Sequence, residues 1–215
     1  MLVIIQARSS SQRFKNKILK MIYGKPLIGH VISRVQKAKK VTKIIIATSR
    51  NKSDDKLVNY LKKIKIQYYR GSLGNVAQRM VETAEYKKKK NFIRISGDSP
   101  LIDPVIIDKA ISTFTKNKNY DLISNIFPRT FPNGQSIEII RTYALKKHLN
   151  NMNKFEKEHV TQYFYNNPKT FSIKSFVNKK KIKFIKTAID NKKDLVNILK
   201  KIKKTEFEKY SIYKS

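Results

Sequence analysis

The sequence predicts an α/β protein, a three-layer sandwich in which helices cover both faces of a mixed but mainly parallel sheet. The first reason is that short apolar runs alternate with amphipathic helical segments throughout the first half of the chain, a pattern that produces right-handed β–α–β units. The second is size, because 215 residues, 40% of them hydrophobic, suit one domain with a substantial core. We therefore expect a single domain over residues 1–215.

The strands of the first half are predicted from short apolar runs, the pattern of buried parallel strands. They lie at residues 2–6, 43–48, 66–69 and 92–96. Helices are predicted at residues 26–35, 53–64, 73–89 and 103–114. Pro26 suits a first helical turn, and Ser53 is a capping residue with two aspartates after it. Asp103 is likewise a cap, because a first-turn proline follows it.

The second half is less regular. Strands are predicted at residues 121–125 and 136–140, on either side of a proline-rich loop at 127–134. The remaining elements follow in the order helix, strand, strand and helix, at residues 155–165, 171–177, 183–189 and 192–202. We expect the tail after Lys203 to be exposed.

Charge is the unusual property of the composition. The 48 Lys and Arg residues outnumber the 15 Asp and Glu residues, for a formal net charge of +33, a balance that often indicates binding to nucleic acid or a membrane surface. Only nine of the 48 are arginine, however, and the lysines are spread along the whole chain. We interpret most of the charge as surface composition, with no membrane partner and no specific nucleic-acid partner. Six of the nine arginines lie in the segments singled out below, as expected where a bidentate guanidinium is needed.

The composition also excludes several classes of site. There is no cysteine, so disulfide frameworks, thiolate metal sites and cysteine nucleophiles are excluded. No apolar run reaches the roughly 18 residues of a membrane-spanning helix. Residues 1–5 lack the basic leader and cleavage site of a signal peptide. These features favour a cytoplasmic protein.

The loop after the first strand is a candidate phosphate site. Ligands of open parallel sheets bind at the carboxyl ends of the strands, where this loop contains Arg8, Ser10, Arg13 and Lys17. Cations neutralise phosphate, and hydroxyl and backbone N–H groups donate hydrogen bonds to it. Because it contains no glycine, the loop is neither a Walker loop nor a dinucleotide-binding turn. The alternative interpretation is an ordinary polar connection.

Two predicted strands end in aspartate. Asp98 follows the strand at 92–96, and Asp190 follows the last strand. Mg²⁺ prefers one or two such carboxylates together with phosphate oxygens. A turn or a helix cap is the alternative for Asp98. For Asp190 the spacing alone does not favour a metal, since either it or Asn191 can cap the last helix.

Six segments, in order along nearly the whole chain, resemble one known family. They are IIQARSSSQRFKNKILKMIYGKPLIGHVISRV at 4–35, RGSLGNVAQRMVETA at 70–84, RISGDSPLIDPVIID at 94–108, SNIFPRTFPNGQSIEII at 124–140, EKEHVTQYFYNNP at 156–168 and KTAIDNKKDL at 186–195. They resemble the cytidylyltransferase family that includes acylneuraminate and 3-deoxy-manno-octulosonate cytidylyltransferases, and most closely its spore-coat-polysaccharide branch. Each segment alone is weakly specific, whereas six in the same order are specific.

The resemblance implies a fold and an activity. The fold is the Rossmann-like one of nucleotide-diphospho-sugar transferases. The activity is transfer of CMP from CTP to a hydroxyl group of an acidic sugar, such as a nonulosonate, with release of pyrophosphate, for surface polysaccharide biosynthesis. The resemblance also implies Mg²⁺ held by Asp98 and Asp190, and a homodimer in which residues 142–180 lie on the acceptor side or at the dimer contact.

Matching motif positions extend the resemblance to individual residues. The expected nucleotide-binding residues are Ala7, Arg8, Ser10, Arg13, Lys17, Arg70, Ser72, Asn75 and Asp98, of which Arg8, Arg13, Lys17 and Asp98 are expected to be catalytic. Glu138 and His159 are expected on the acceptor side. Arg129, in the proline-rich loop, is a candidate partner for the acceptor carboxylate, although a rigid proline-bounded turn explains that loop equally well.

The chain departs from the family pattern at four places. Ser99 stands where the family often has cysteine, Asn75 where it tends to have an acidic residue, and Lys186 where it favours arginine. Lys192 and Lys193 replace a usual acidic pair. Lysine lacks the bidentate reach of arginine. The departures at Lys186 and at Lys192 and Lys193 bear on a second metal site more than on the first.

Two other functions are compatible with parts of the sequence. One is a nucleotidyltransferase with another base or acceptor, although the glycine-rich first loop of sugar-1-phosphate pyrophosphorylases is missing. The other is a basic nucleic-acid-binding protein, which needs a clustered basic face with exposed aromatic residues. Here the charge is diffuse, and most of the 11 Tyr and 11 Phe residues fall at predicted strand or core positions. The enzyme is therefore favoured.

Overall fold

Among the residues that the computed structural model describes, 1–10, 14–178 and 186–213, seven strands form one sheet. In chain order the strands are β1 (Leu2–Gln6), β2 (Met21–Ile22), β3 (Lys25–Pro26), β4 (Lys43–Ser49), β5 (Tyr68–Gly71), β6 (Asn91–Ser96), β7 (Leu122–Ser124), β8 (Glu138–Arg141) and β9 (Ile173–Ser175). The large sheet has the order β5-β4-β1-β6-β8-β7-β9, while β2 and β3 pair as a separate antiparallel hairpin.

The sheet is mixed but mainly parallel, as predicted. β1 is parallel to both of its neighbours, with Ile4 opposite Ile45 of β4 on one side and Arg94 of β6 on the other. β5 extends the parallel part beyond β4. β8 is antiparallel to β6 and β7, and β9 is parallel to β7. The carboxyl ends of β1, β4, β5 and β6 therefore lie at the same end of the sheet, where ligands bind in open α/β folds.

Helices pack on both faces of the sheet. In chain order they are α1 (Leu27–Gln36), α2 (Asp55–Lys63), α3 (Val76–Tyr86), α4 (Pro104–Lys116), α5 (Thr142–Lys147), α6 (Lys154–His159), α7 (Gln162–Asn166), α8 (Lys192–Lys201) and α9 (Lys204–Phe207). Because side chains alternate along a strand, Val3 and Ile5 join the core under α1 and α4, whereas Leu2 and Ile4 join the core under α3. Two apolar cores, one on each face, make the three-layer sandwich. Within the described ranges, no helix is long and apolar enough to cross a bilayer.

The predicted elements of the first half agree closely with the structure. All four strand predictions are correct to within two residues at each end, the usual uncertainty of such boundaries. Pro26 immediately precedes α1. Asp103 caps α4, because its carboxylate accepts the backbone N–H of Val105 at 2.9 Å.

The predicted cap of α2 is wrong. Asn51, and not Ser53, provides the first cap: its side chain accepts the backbone N–H of Ser53 and starts a short 3-10 helix that leads into α2. Asp54, predicted in the first turn of this helix, immediately precedes α2, and its side chain is fully buried. Asp54 accepts hydrogen bonds from the backbone N–H and the hydroxyl of Ser49 at the end of β4.

Two predicted elements of the second half differ from the structure. The helix expected at 155–165 is divided into α6 and α7, because Val160 adopts a φ of 55°. The strand expected at 183–189 is not formed in its described part, where the N–H groups of Thr187 and Ala188 both donate to the carbonyl of Asn133. Residues 183–185 lie outside the described residues.

The prediction that the tail after Lys203 is exposed is wrong. It forms α9, whose Phe207 is 1% exposed, and Ile212 beyond it is also buried. The carboxylate of Asp103 accepts the backbone N–H of Ile212 at 3.0 Å. The guanidinium of Arg34 donates to backbone carbonyls on both sides of this contact. The tail is therefore part of the core beneath α1 and α4.

Candidate active site

A cleft of about 890 Å³ opens at the carboxyl ends of β1 and β6, next to α3 and α6. Of the predicted site residues, seven line it: Ala7, Arg8, Ser10, Lys17, Asp98, His159 and Asp190. Among the described residues the lining contains five basic side chains, Arg8, Lys17, Arg79, Arg94 and Lys154, against three acidic ones, Asp98, Glu158 and Asp190. This excess of positive charge favours an anionic ligand.

Buried Asp54 anchors the loop that follows β1. Its Oδ1 accepts the backbone N–H of Ser9 at 2.5 Å. The loop then returns toward the sheet, where the N–H of Asn16 donates to the carbonyl of Ser9 at 3.1 Å, and this directs Lys17 into the cleft. Arg13, predicted to hold phosphate, lies outside the described residues. Sequence reasoning missed the role of Asp54, since nothing local distinguishes it from a helix-start aspartate.

The ammonium group of Lys17 joins the two aspartates that the sequence analysis singled out. Its Nζ donates to Oδ2 of Asp98 at 2.9 Å and to the carbonyl of Ile189 at 2.9 Å. It lies 3.8 Å from Oδ1 of Asp190. Residues that are far apart in sequence therefore converge at one point, and the positive charge between the two carboxylates offsets their mutual repulsion.

Asp190 faces the cleft and does not cap the last helix. The cap is Asn191, whose side chain accepts the N–H of Asp194 at 3.0 Å. Lys186 pairs with Asp190 at 2.7 Å and with Asp194 at 3.0 Å. Burial tends to lower the pKa of Lys186, but hydrogen bonds to these two carboxylates outweigh it and raise the pKa. Lys186, which stands where the family favours arginine, thus pairs with two carboxylates.

The two aspartates fit a divalent cation that prefers oxygen ligands. The carboxylates of Asp98 and Asp190 approach the same ammonium group, and their side chains are 21% and 29% exposed. Mg²⁺ typically takes one or two carboxylates and completes its shell with water and phosphate oxygens. Across the described part of the chain, no three His, Asp or Glu side chains are grouped to hold a metal. A cation in this part of the cleft would have Asp98 and Asp190 as its carboxylate ligands.

The segment that carries Asp190 depends on a close backbone approach at Gly134. The φ of Gly134 is +100°, and a Cβ there would lie 2.4 Å from both the backbone nitrogen of Ala188 and Oγ1 of Thr187. We predict that Gly134→Ala lowers the free energy of unfolding by at least about 3 kcal/mol, from left-handed strain and overpacking together. Urea denaturation measures this loss. Gly24→Ala is the control, because φ is +83° there but nothing lies within 4 Å; equal losses in the two variants would contradict the close-approach argument.

An ion pair spans the cleft between the loop after β1 and α6. Nη2 of Arg8 lies 2.5 Å from Oε1 of Glu158, and the two side chains are 32% and 45% exposed. Nη1 of Arg8 reaches the carbonyl of Leu73 at 3.5 Å. Lys154 and His159 line the same side as Glu158. The guanidinium predicted to bind phosphate therefore pairs with a carboxylate.

We predict that Glu158→Gln raises the affinity for pyrophosphate about two- to fivefold. The reason is that a partly exposed ion pair contributes up to about 1 kcal/mol, which an anion must otherwise overcome to reach Arg8. Isothermal titration calorimetry with pyrophosphate measures the change. Glu85→Gln is the matched control, because Glu85 pairs with Lys146 on the surface. Weaker pyrophosphate binding by Glu158→Gln would show that the carboxylate does not compete.

Arg94 lines the cleft on top of a buried polar network. Its guanidinium pairs with Glu138, which is 1% exposed, and its Nε donates to the side chain of Gln6 at 2.8 Å. Oε1 of Glu138 also accepts from the hydroxyls of Thr161 at 2.7 Å and Tyr165 at 2.6 Å. Burial first, and then the charge of Glu138, raise the pKa of Tyr165. Glu138, predicted on the acceptor side, thus lies behind Arg94 and is not in the cleft lining.

Arg129 and the nucleoside-side residues predicted from the sequence are not in the cleft lining either. Arg129 donates to the hydroxyl of Ser136 at 3.2 Å, and its pKa is lowered by burial despite the charge of Glu138. Arg70 pairs with Asp55 at 2.8 Å. Ser72 and Asn75 make contacts within their own segment. The hydroxyl of Ser72 accepts the N–H of Asn75, and the side chain of Asn75 caps α3. That Arg70, Ser72 and Asn75 lie near the nucleoside, and that Arg129 pairs with the acceptor carboxylate, stay predictions.

Two arginines of the cleft were not among the predicted site residues. Arg79 and Arg94 both line it, and Leu73 and Val76 replace the expected Ser72 and Asn75 on the α3 side. The sequence signal that could have identified them is the scarcity of arginine in a lysine-rich chain. Both belong to the six arginines that lie in the segments singled out in the sequence analysis.

Comparison with known proteins identifies the relatives of this chain. The profile of a family described as cytidylyltransferase matches residues 2–213. The chain belongs to the cytidylyltransferase family. The spore coat polysaccharide biosynthesis protein SpsF of Bacillus subtilis is 31% identical over 181 residues, covering 80% of this chain and 72% of SpsF. A 3-deoxy-manno-octulosonate cytidylyltransferase of Geotalea daltonii is 34% identical over 118 residues, covering 54% of this chain and 45% of that protein.

A solved cytidylyltransferase supports the same assignment at the level of structure. The enzyme from Leptospira borgpetersenii has a TM-score of 0.85 to this chain at 28% identity, covering 90% of this chain and 83% of that one. Both the resemblance stated from the sequence and the nucleotide-diphospho-sugar transferase fold are thereby confirmed. The cleft of this cytidylyltransferase family member is at the carboxyl ends of its parallel strands, where that fold predicts a site.

Proposed function

We propose that this cytidylyltransferase transfers CMP from CTP to a hydroxyl group of an acidic sugar and releases pyrophosphate. The observation that carries the proposal is the convergence of Lys17, Asp98 and Asp190 in a positively lined cleft. Such a cleft suits a polyanionic nucleotide next to a carboxylate pair. Two relatives support the acceptor class, one named for 3-deoxy-manno-octulosonate and one for spore coat polysaccharide.

The residues of the cleft divide the work of the reaction. Arg8, Ser10 and Lys17 bind the triphosphate, and their donors stabilise charge that develops on the leaving pyrophosphate. Lys17 exchanges its pairing with Asp98 and Asp190 for phosphate oxygens. We further propose Mg²⁺ as the cofactor, with these two aspartates holding it. When bound, the ion offsets phosphate charge and favours ionisation of the acceptor hydroxyl.

The acceptor end of the cleft is formed by α6 and β6. Lys154, His159 and Arg94 line it, and these side chains supply the cations and donors that a sugar carboxylate and its hydroxyl groups need. We also propose that the enzyme acts in the cytoplasm and as a homodimer, with residues 142–180 near the contact. Cross-linking and light scattering on the purified protein test the dimer.

The decisive experiment is pyrophosphate release with a panel of nucleotides and acceptors. CTP, UTP, ATP and GTP are each tested with Mg²⁺ and with 3-deoxy-manno-octulosonate, nonulosonates and neutral sugars, at ~0.3 M salt to screen the basic surface. Release that requires both CTP and an acidic sugar supports the proposal. Release with neutral sugars alone, or with a purine nucleotide alone, would replace it by another transferase specificity.

A further inference from the structure

The two cleft aspartates lie on chain segments outside the strands of the described structure. Asp98 belongs to the loop between β6 and α4, here called the β6 loop (residues 97–103), and Asp190 belongs to the pre-α8 segment (residues 187–190). A backbone bond joins the two segments, because the N–H of Ile189 donates to the carbonyl of Asp98 at 2.9 Å. Sheet pairing therefore does not fix the spacing of the two carboxylates, which depends also on side chains that connect the segments.

Gln135 is a fully buried side chain that bonds to both segments. It lies just before β8 and is 0% exposed. Its Nε2 donates to the carbonyl of Leu101 in the β6 loop at 2.7 Å and to Oγ1 of Thr187 in the pre-α8 segment at 3.1 Å. Its Oε1 accepts the backbone N–H of Asp103, also in the β6 loop, at 2.8 Å. One amide group thus connects the two segments that carry the aspartates.

The contacts of Gln135 require an amide. A buried amide is costly unless it is hydrogen-bonded, and here its nitrogen has two acceptors and its oxygen has one donor. Its backbone is held as well, since its N–H donates to the carbonyl of Pro132 at 3.1 Å and its carbonyl accepts from the side chain of Asn125 at 2.7 Å. Glutamate of the same shape would lose the donors, and methionine would lose both donors and acceptor.

Lys17 connects the same two segments from the cleft side. Its Nζ donates to the carboxylate of Asp98 and to the carbonyl of Ile189. In the proposed reaction, however, Lys17 exchanges its carboxylate partners for phosphate oxygens. Gln135 is not in the cleft lining, so a nucleotide does not compete for its hydrogen bonds. Its connection therefore persists when Lys17 turns to the phosphates.

We propose that Gln135 is a positioning residue that sets the spacing of Asp98 and Asp190 and thereby the affinity of this pair for the divalent cation of the reaction. The inference rests on the proposed function, in which the two aspartates hold Mg²⁺. Because the hydrogen bonds of Gln135 go to neighbours of the aspartates, it acts through the chain and not as a ligand. Its loss should weaken Mg²⁺ binding while both carboxylates remain.

Thermal unfolding at increasing Mg²⁺ concentration tests the proposal without any substrate. Lys17→Met is the starting variant, because removal of the ammonium group leaves the two carboxylates to the cation. Adding Gln135→Met should raise the Mg²⁺ concentration needed for the same gain in Tm about tenfold, the lower end of the usual effect of changes behind a metal ligand. Adding Phe207→Leu is the control, because Phe207 is a buried core residue of α9 outside both segments. It should lower Tm and leave the Mg²⁺ dependence unchanged.

Steady-state pyrophosphate release gives a second readout with Lys17 intact. Gln135→Met should raise the Mg²⁺ concentration for half-maximal rate about tenfold, while the KM for CTP at saturating Mg²⁺ changes by less than about twofold. Thr187→Val keeps the shape of the side chain but removes an acceptor of Gln135, and it should raise the same Mg²⁺ concentration about two- to fivefold. The two changes combined should be less than additive, because they break the same bond.

The variants separate a positioning role from a purely structural one. An unchanged Mg²⁺ dependence in Gln135→Met overturns the proposal, and if that variant does not fold, the same result in Thr187→Val overturns it. An equal shift in Phe207→Leu would also overturn it, since loss of stability alone would then explain the effect. If Lys17→Met does not respond to Mg²⁺, the cation site fails and the inference fails with it. If the wild type releases no pyrophosphate from CTP with an acidic sugar, the proposed function fails, but the Mg²⁺ dependence of unfolding still decides the role of Gln135.

Discussion

Asp98→Asn is expected to lower the rate of pyrophosphate release by about a hundred- to a thousandfold while the protein folds normally. The carboxylate of Asp98 accepts from Lys17 at 2.9 Å and faces the cleft. An amide of the same shape keeps the packing but removes the negative charge that holds Lys17 and, in our proposal, the cation. The measurement is steady-state pyrophosphate release with CTP and the acceptor, together with a thermal melt.

The control for this variant is Asp108→Asn. Asp108 accepts the backbone N–H groups of Lys39 and Lys40 on the surface, outside the cleft lining. Its amide variant should retain full activity. An Asp98→Asn enzyme with more than about a third of the wild-type rate would show that the carboxylate has no part in the reaction.

The fold was predictable where local signals and packing agree. β1 and α4 are examples: an apolar run identifies the strand, and Asp103 marks the start of the helix. Predictions failed where long-range contacts decide. The backbone around Thr187 bonds to the carbonyl of Asn133 and does not join the sheet, and the tail is buried through Phe207. Neither contact has a signature in nearby sequence.

The same distinction applies to the cleft. Lys17 and Asp98 were predictable, because both follow strands whose carboxyl ends meet in a parallel sheet. Whether Asp190 caps the last helix could be decided only from the structure, since Asn191 is equally suited to capping by residue type and takes that role. For Arg79 the scarcity of arginine drew attention to its segment, whereas its burial and its place in the cleft lining needed the structure.

Lys17→Met is expected to reduce pyrophosphate release by about a hundredfold and, without any substrate, to expose a cation site. The side chain of Lys17 is 11% exposed and is the group through which Asp98 and Asp190 approach each other. Its removal leaves two carboxylates facing each other, so the free energy of unfolding should fall by about 1–3 kcal/mol. Millimolar Mg²⁺ should recover part of this loss in the variant and have a smaller effect on the wild type, because there the ammonium already occupies the position.

Thermal unfolding with and without Mg²⁺ measures the second effect independently of catalysis. Lys146→Met is the matched control, because Lys146 also pairs with a carboxylate, at 2.7 Å from Glu85, but on the surface. Its response to Mg²⁺ should equal that of the wild type. If Lys17→Met and Lys146→Met respond equally to Mg²⁺, the two aspartates do not form a cation site, and Lys17 would be explained as a structural bridge. A selective response would link the placement of one lysine to both the stability of the protein and the chemistry proposed for the cleft.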